Sequence, residues 1–79
     1  MYQLKIKPKA ESNLKKLSRA YQEKILTTFL VIQENHFNGK KLSGELNGLY
    51  SYRIWPYRII YQIYSNELII LVIHIGHRQ

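Results

Sequence analysis

The sequence predicts a two-layer α+β domain with the element order βααβββ. Three features carry that reading. The N-terminus alternates apolar and polar residues with period two, the middle places apolar residues at helical spacing, and the last third holds three runs rich in Ile, Val and Tyr separated by short turns. Seventy-nine residues leave room for one core, so residues 1–79 are expected to form a single domain.

The first strand is expected over Tyr2–Lys7. Tyr2, Leu4 and Ile6 fall on one face and Gln3, Lys5 and Lys7 on the other, and Pro8 ends the strand. Lys9 to about Leu17 reads as a helix on the spacing of Ala10, Leu14 and Leu17. Ser18 is placed to cap a second helix running from Arg19 to about Asn35. In that helix Tyr21, Ile25, Phe29 and Ile32 form one stripe, and Leu26, Leu30 and Val31 are expected to widen it into a core-facing surface. The two helices make an αα-hairpin.

His36 to Gly48 reads as a loop, because Asn38-Gly39, Gly44 and Asn47-Gly48 are turn formers. Strands follow over about Leu49–Ile54, Tyr57–Tyr64 and Leu68–Ile75. Trp55-Pro56 and Ser65-Asn66-Glu67 are short enough to connect them as antiparallel hairpins. With both helices on one side, the other face of the sheet is left open.

Composition narrows the function. Twelve Lys and Arg against five acidic residues give a formal charge of +7, which attracts polyanions. Seven Tyr, two Phe and one Trp accompany the charge, and cations interleaved with aromatic rings suit RNA, where phosphate is neutralised and bases stack. The alternative is a solubilising basic face over an aromatic core. All five acidic residues are glutamates (Glu11, Glu23, Glu34, Glu45 and Glu67), too scattered for a two-metal nuclease, and the absence of Cys excludes disulfides and thiolate metal sites. Neither a metal nor a cofactor is expected. The N-terminus lacks the apolar run of a signal peptide, and the longest apolar run, Leu68–Ile73, is too short to span a bilayer. The protein is expected to be cytoplasmic, with no membrane partner.

The segment Gly48-Leu49-Tyr50-Ser51-Tyr52-Arg53-Ile54-Trp55-Pro56-Tyr57-Arg58-Ile59-Ile60-Tyr61 resembles the central hairpin of the RelE/ParE toxin superfamily. Lys41-Leu42-Ser43-Gly44 resembles the entry to that sheet, and Ile75-Gly76-His77-Arg78 resembles its closing strand. The resemblance covers the whole chain in element order. It implies a toxin of a type II toxin–antitoxin system with an antitoxin as partner. Many RelE-like members are metal-independent, ribosome-dependent mRNA endoribonucleases; ParE-like members keep the fold and poison DNA gyrase.

By this resemblance Arg58, Arg53 and Arg78 are the catalytic cations. A planar guanidinium grips phosphate in bidentate fashion. His77 is the matching proton-transfer group. Lys40 and Lys41 are candidate phosphate contacts, and Trp55, at the hairpin tip, a candidate stacking platform. Tyr50 and Tyr52 are assigned to the core, His74 to the sheet, and His36 and Glu45 to the loop. The sequence departs from the pattern in two places. Ser51 stands where the first of two basic residues is common, and the sequence stops at Gln79, before the tail that often supplies a Tyr. Either His77 then moves the protons alone, or cleavage is slow, or the chain is truncated or inactive. Gyrase inhibition, a decayed toxin that only binds its antitoxin or RNA, and a plain RNA-binding sheet stay open as alternatives.

Overall fold

In a computed structural model, which describes residues 1–36, 39–41 and 48–77, one five-stranded sheet carries two helices. Strand β1 is Gln3–Ile6, helix α1 is Pro8–Lys15 and helix α2 is Arg19–Glu34. Strands β2 (Lys40–Lys41), β3 (Leu49–Ile54), β4 (Tyr57–Tyr64) and β5 (Ile69–His77) follow. The spatial order is β1-β5-β4-β3-β2. All pairings are antiparallel except β1 with β5, which brings the two ends of the sequence side by side.

Local chemistry explains the helix boundaries. Pro8, which cannot continue the strand ladder, sits in the first turn of α1, where its missing N–H costs nothing. Ser18 caps α2, its hydroxyl accepting the Tyr21 N–H at 3.4 Å. Ile25, Phe29 and Ile32 then face the sheet with Ala10 and Leu14 of α1. They pack over Tyr50, Ile59, Tyr61, Ile70, Val72 and Ile75. The expected broad stripe on α2 is narrower than its sequence suggests. Leu30 is 64 % exposed, and Leu26 and Val31 are exposed as well. Two small helices over five strands leave room for only one stripe, and these three residues turn away from it.

Two further points differ from the sequence reading. Lys40 and Lys41, expected in a loop, form a short edge strand opposite Ser51 and Tyr50 of β3. Their backbone is positioned by Tyr61. Its buried hydroxyl donates to the His36 carbonyl at 2.9 Å and accepts the Gly39 N–H at 3.1 Å. A Cβ at Gly39 would overlap that hydroxyl, so this close approach needs glycine. The second point concerns β5. Tyr61 is opposite Val72 but Ile60 is opposite His74, so Ile73 is an extra residue, a β-bulge.

The bulge lies where β1 leaves the sheet. β1 follows β5 as far as Val72, whose carbonyl accepts the Lys7 N–H at 2.9 Å. Beyond it, the edge of β5 is completed by a side chain: Asn13 of α1 accepts the Ile75 N–H through Oδ1 at 3.2 Å. Replacing Asn13 with Ala leaves that part-buried amide without its acceptor. We expect it to lower stability by about 1–2 kcal/mol, read as a fall in melting temperature of roughly 4–8 °C per kcal/mol in a domain of this size.

Burial raises the pKa of Tyr61 above its ordinary value of 10.0; the Gly39 hydrogen bond opposes the shift, and the neighbouring Tyr50 and Tyr52 reinforce it. The folded state therefore holds this proton more tightly than the unfolded chain. Its contribution to stability is complete below pH 10.0 and is lost as pH rises through the folded-state pKa. Tyr61→Phe should be less stable at neutral pH, because two hydrogen bonds are removed, and its melting temperature should fall less steeply above pH 10 than that of the parent.

Candidate nucleic-acid interface

Side chains on a strand alternate between the faces of a sheet, and directly opposed residues share a face. Ile59 and Ile75, opposite each other, are buried against the helices. Their neighbours in sequence therefore point to the open side. On that side the register produces two adjacent rows. One runs Arg53–Arg58–Gly76 across β3, β4 and β5, and the next runs Lys40–Ser51–Ile60–His74 across β2 to β5.

Arg53 and Arg58 are direct partners across the β3–β4 hairpin. Opposed like charges destabilise a strand pair, and neither guanidinium has a carboxylate partner among the described residues. The one ion pair there is Arg19–Glu23, 3.9 Å apart on the exposed surface of α2. Glu11, Glu23 and Glu34 lie on the helices, and Glu67 lies in the β4–β5 turn, at the end of the sheet away from Arg58. Among the described residues, the open face around Arg58 is thus cationic without local compensation.

A concavity of about 180 Å³ lies in this face, lined by Arg58, Ile60, His74, Gly76 and His77. His74 belongs to it because of the bulge. Strict alternation from Ile70 and Val72 would turn residue 74 to the helices, and the extra residue at Ile73 reverses that. The imidazole lies directly over Gly76. A Cβ there would stand 2.5 Å from His74 Cε1, so the missing side chain makes the space the ring occupies.

The structure brings some of the sequence candidates together and separates others. Arg53 and Arg58 share the open face. Lys40 lies at the edge of the same face, whereas Lys41 is opposite the buried Tyr50 and falls on the other side. His77 borders the concavity, but it is opposite Tyr57 and its ring stands edge-on to the Tyr57 ring at 5.4 Å. Tyr57 in turn meets Tyr21 of α2 at 5.0 Å, so the His77 ring leans toward the helix layer. Trp55 is 71 % exposed at the hairpin tip, at the Arg53–Arg58 end of the sheet. Tyr50 is in the core, stacked on Tyr61 at 5.7 Å, as expected of it. Arg78 and Glu45 lie outside the described residues. His74 is the residue whose place the sequence reading missed. The signal was parity: an apolar run that alternates inward at 70 and 72 also has to bury Ile75, which requires one residue out of step.

This arrangement matches a known family. The model of the ParE toxin of type II toxin–antitoxin systems, parDE, matches residues 4–79. The chain belongs to that toxin family. Similar solved structures include the RelBE2 toxin–antitoxin complex of Mycobacterium tuberculosis, with a TM-score of 0.88 at 25 % identity over 98 % of this chain and 91 % of that one. The isolated Escherichia coli RelE toxin is similar in fold, with a TM-score of 0.87 at 22 % identity over 100 % of this chain and 86 % of that one. So is the archaeal RelE–RelB complex from Pyrococcus horikoshii, with a TM-score of 0.86 at 24 % identity over 98 % and 94 %. Comparison with curated protein sequences gives no significant match. No helix of this family member among the described residues is long and apolar enough to cross a membrane.

If the cationic rows of this toxin hold phosphates, removing one cation should flatten the salt dependence of binding. For a single-stranded oligonucleotide, Arg58→Ala and Arg53→Ala should each make the plot of log affinity against log salt shallower by about 0.7 for each phosphate no longer neutralised. Arg19→Ala, on α2, should leave the slope unchanged.

Proposed function

We propose that this toxin is a ribosome-dependent endoribonuclease that cleaves mRNA without a metal ion and is held inactive by a cognate antitoxin. The observation that carries the reading is the uncompensated Arg53–Arg58 pair on an open sheet face beside an imidazole-lined concavity. In such a reaction the ribose 2′-OH attacks the adjacent phosphorus. The 2′-O–P bond forms, the P–O5′ bond breaks, one proton leaves the 2′-oxygen and one is delivered to the 5′-oxygen. A cyclic phosphate and a free 5′-OH result. Positioning the backbone and neutralising the charge that builds on the phosphorane oxygens account for most of what a protein must supply. Arg58 and Arg53 are suited to both tasks, and Arg78 would add a third cation by its match to the Gly-His-Arg pattern. Lys40, at the sheet edge, would hold the RNA backbone, and Trp55 would stack on a base.

Two of the similar structures are complexes of a toxin with its antitoxin. By analogy, the antitoxin of this chain would cover the basic face with an acidic segment. A second reading, inhibition of DNA gyrase, is favoured by the family model itself, which is that of the ParE toxin.

Primer extension on mRNA from a translation extract tests the proposal. We expect new breaks that require ribosomes and that fall by about 10²–10³-fold in Arg58→Ala, the usual loss on removing one charge-stabilising donor. Intact mRNA together with stalled supercoiling by purified gyrase would overturn the nuclease reading in favour of the second.

A further inference from the structure

We propose that His74, with Arg58, forms the phosphodiester subsite of this toxin, and that His74 rather than His77 is the imidazole that exchanges a proton with the reacting ribose or leaving group. The inference rests on the ribonuclease reading above for its chemistry, but its geometry stands apart from it.

Four observations support it. The bulge at Ile73 places His74 on the face of Arg58, against the parity of the preceding strand. Bulges beside functional sites commonly serve to re-aim a side chain in this way. Gly76, opposite Arg58, provides the space in which the imidazole lies, so ring and guanidinium line one concavity with backbone between them. No described residue hydrogen-bonds the His74 ring or pairs with Arg58, so both groups are available to a ligand. The His77 ring, by contrast, is engaged with Tyr57 and leans toward α2.

The surroundings select the ligand. Among the described residues, the charged or titratable groups that face His74 are Arg58 of β4, Arg53 beyond it on β3, Lys40 at the β2 edge and His77 on β5 itself. From β1, Lys5 lies on the same side, opposite Leu71. None is acidic. A cationic recess of about 180 Å³ with one guanidinium and one imidazole suits a single phosphodiester group. Imidazole takes up and releases protons near neutral pH. In the reaction it would accept the 2′-OH proton as the 2′-O–P bond forms, or donate one to the 5′-oxygen as the P–O5′ bond breaks.

The test pairs cleavage with binding. Cleavage by His74→Ala, His74→Gln, His77→Ala and Gly76→Ala is measured from pH 5.5 to 9, after circular dichroism confirms folding. We expect His74→Ala and His74→Gln to lose about 10²–10⁴-fold, the usual contribution of one acid or base, and one arm of the pH profile with it. Gly76→Ala, which displaces the ring, should follow them, whereas His77→Ala should keep both arms of the pH profile, whatever its rate. In parallel, imidazole resonances are followed by NMR during titration with a trinucleotide whose first and central riboses are both 2′-deoxy, so that neither linkage can be cleaved. The His74 signals should shift in the parent protein and not in Arg58→Ala. Cleavage that survives in His74→Ala with both pH arms intact overturns the inference and leaves the ribonuclease reading standing. If the parent cuts no RNA, the ribonuclease reading fails. The titration then decides the subsite: shifted His74 signals support it, and unmoved signals overturn it.

Discussion

Strand β5 carries the organisation of this molecule. It pairs with β4 along its whole length and with β1 along its first half, and it takes a side-chain acceptor from α1 where β1 ends. A strand supplied on its β1 side first by backbone and then by Asn13 can change parity between the two regimes without leaving its amides unsatisfied. The bulge at Ile73 sits at that change. It keeps Ile70 and Val72 under one part of the helix layer and Ile75 under another, and it turns His74 outward. Without the extra residue, either His74 would be buried against the helices or Ile75 would face solvent. Core packing and site geometry thus depend on the same irregularity.

The helical layer is small, and the consequences reach the opposite face. α1 and α2 cover one side of the sheet with Ala10, Leu14, Ile25, Phe29 and Ile32, and nothing among the described residues covers the other. An uncovered sheet face normally becomes polar and neutral overall. Here it holds two opposed arginines whose mutual repulsion is relieved by no carboxylate among the described residues. Such an arrangement costs folding stability and becomes favourable when a polyanion arrives.

The edge of the sheet shows the same economy. Tyr61, at the centre of the core, uses its hydroxyl to hold His36 and Gly39, and through them the short strand that places Lys40 beside the arginine rows. A buried phenol with both hydrogen-bonding directions used brings no unsatisfied polar atom into the core. It joins the hydrophobic core to the most peripheral cation of the site.

Much of this was legible in the residues. Period-two alternation defined β1, Ser18 marked the start of α2, and the turn residues at 55–56 and 65–67 separated the last three strands, because each signal is local and acts through nearest neighbours along the chain. The hairpin that carries Arg53 and Arg58 was legible from its two-residue connection, but the register that sets them directly opposite each other was not. Three matters were decided by contacts between residues distant in sequence. The outward turn of Leu26, Leu30 and Val31 depends on how much sheet two helices can cover. The strand at Lys40–Lys41 depends on a tyrosine more than twenty residues further on. The exchange of His74 for His77 on the arginine face depends on a bulge held by an asparagine from α1. A periodic pattern states which residues are apolar, but not where the period slips. The slip is set by the competing demands of β1, β4 and α1 on a single strand.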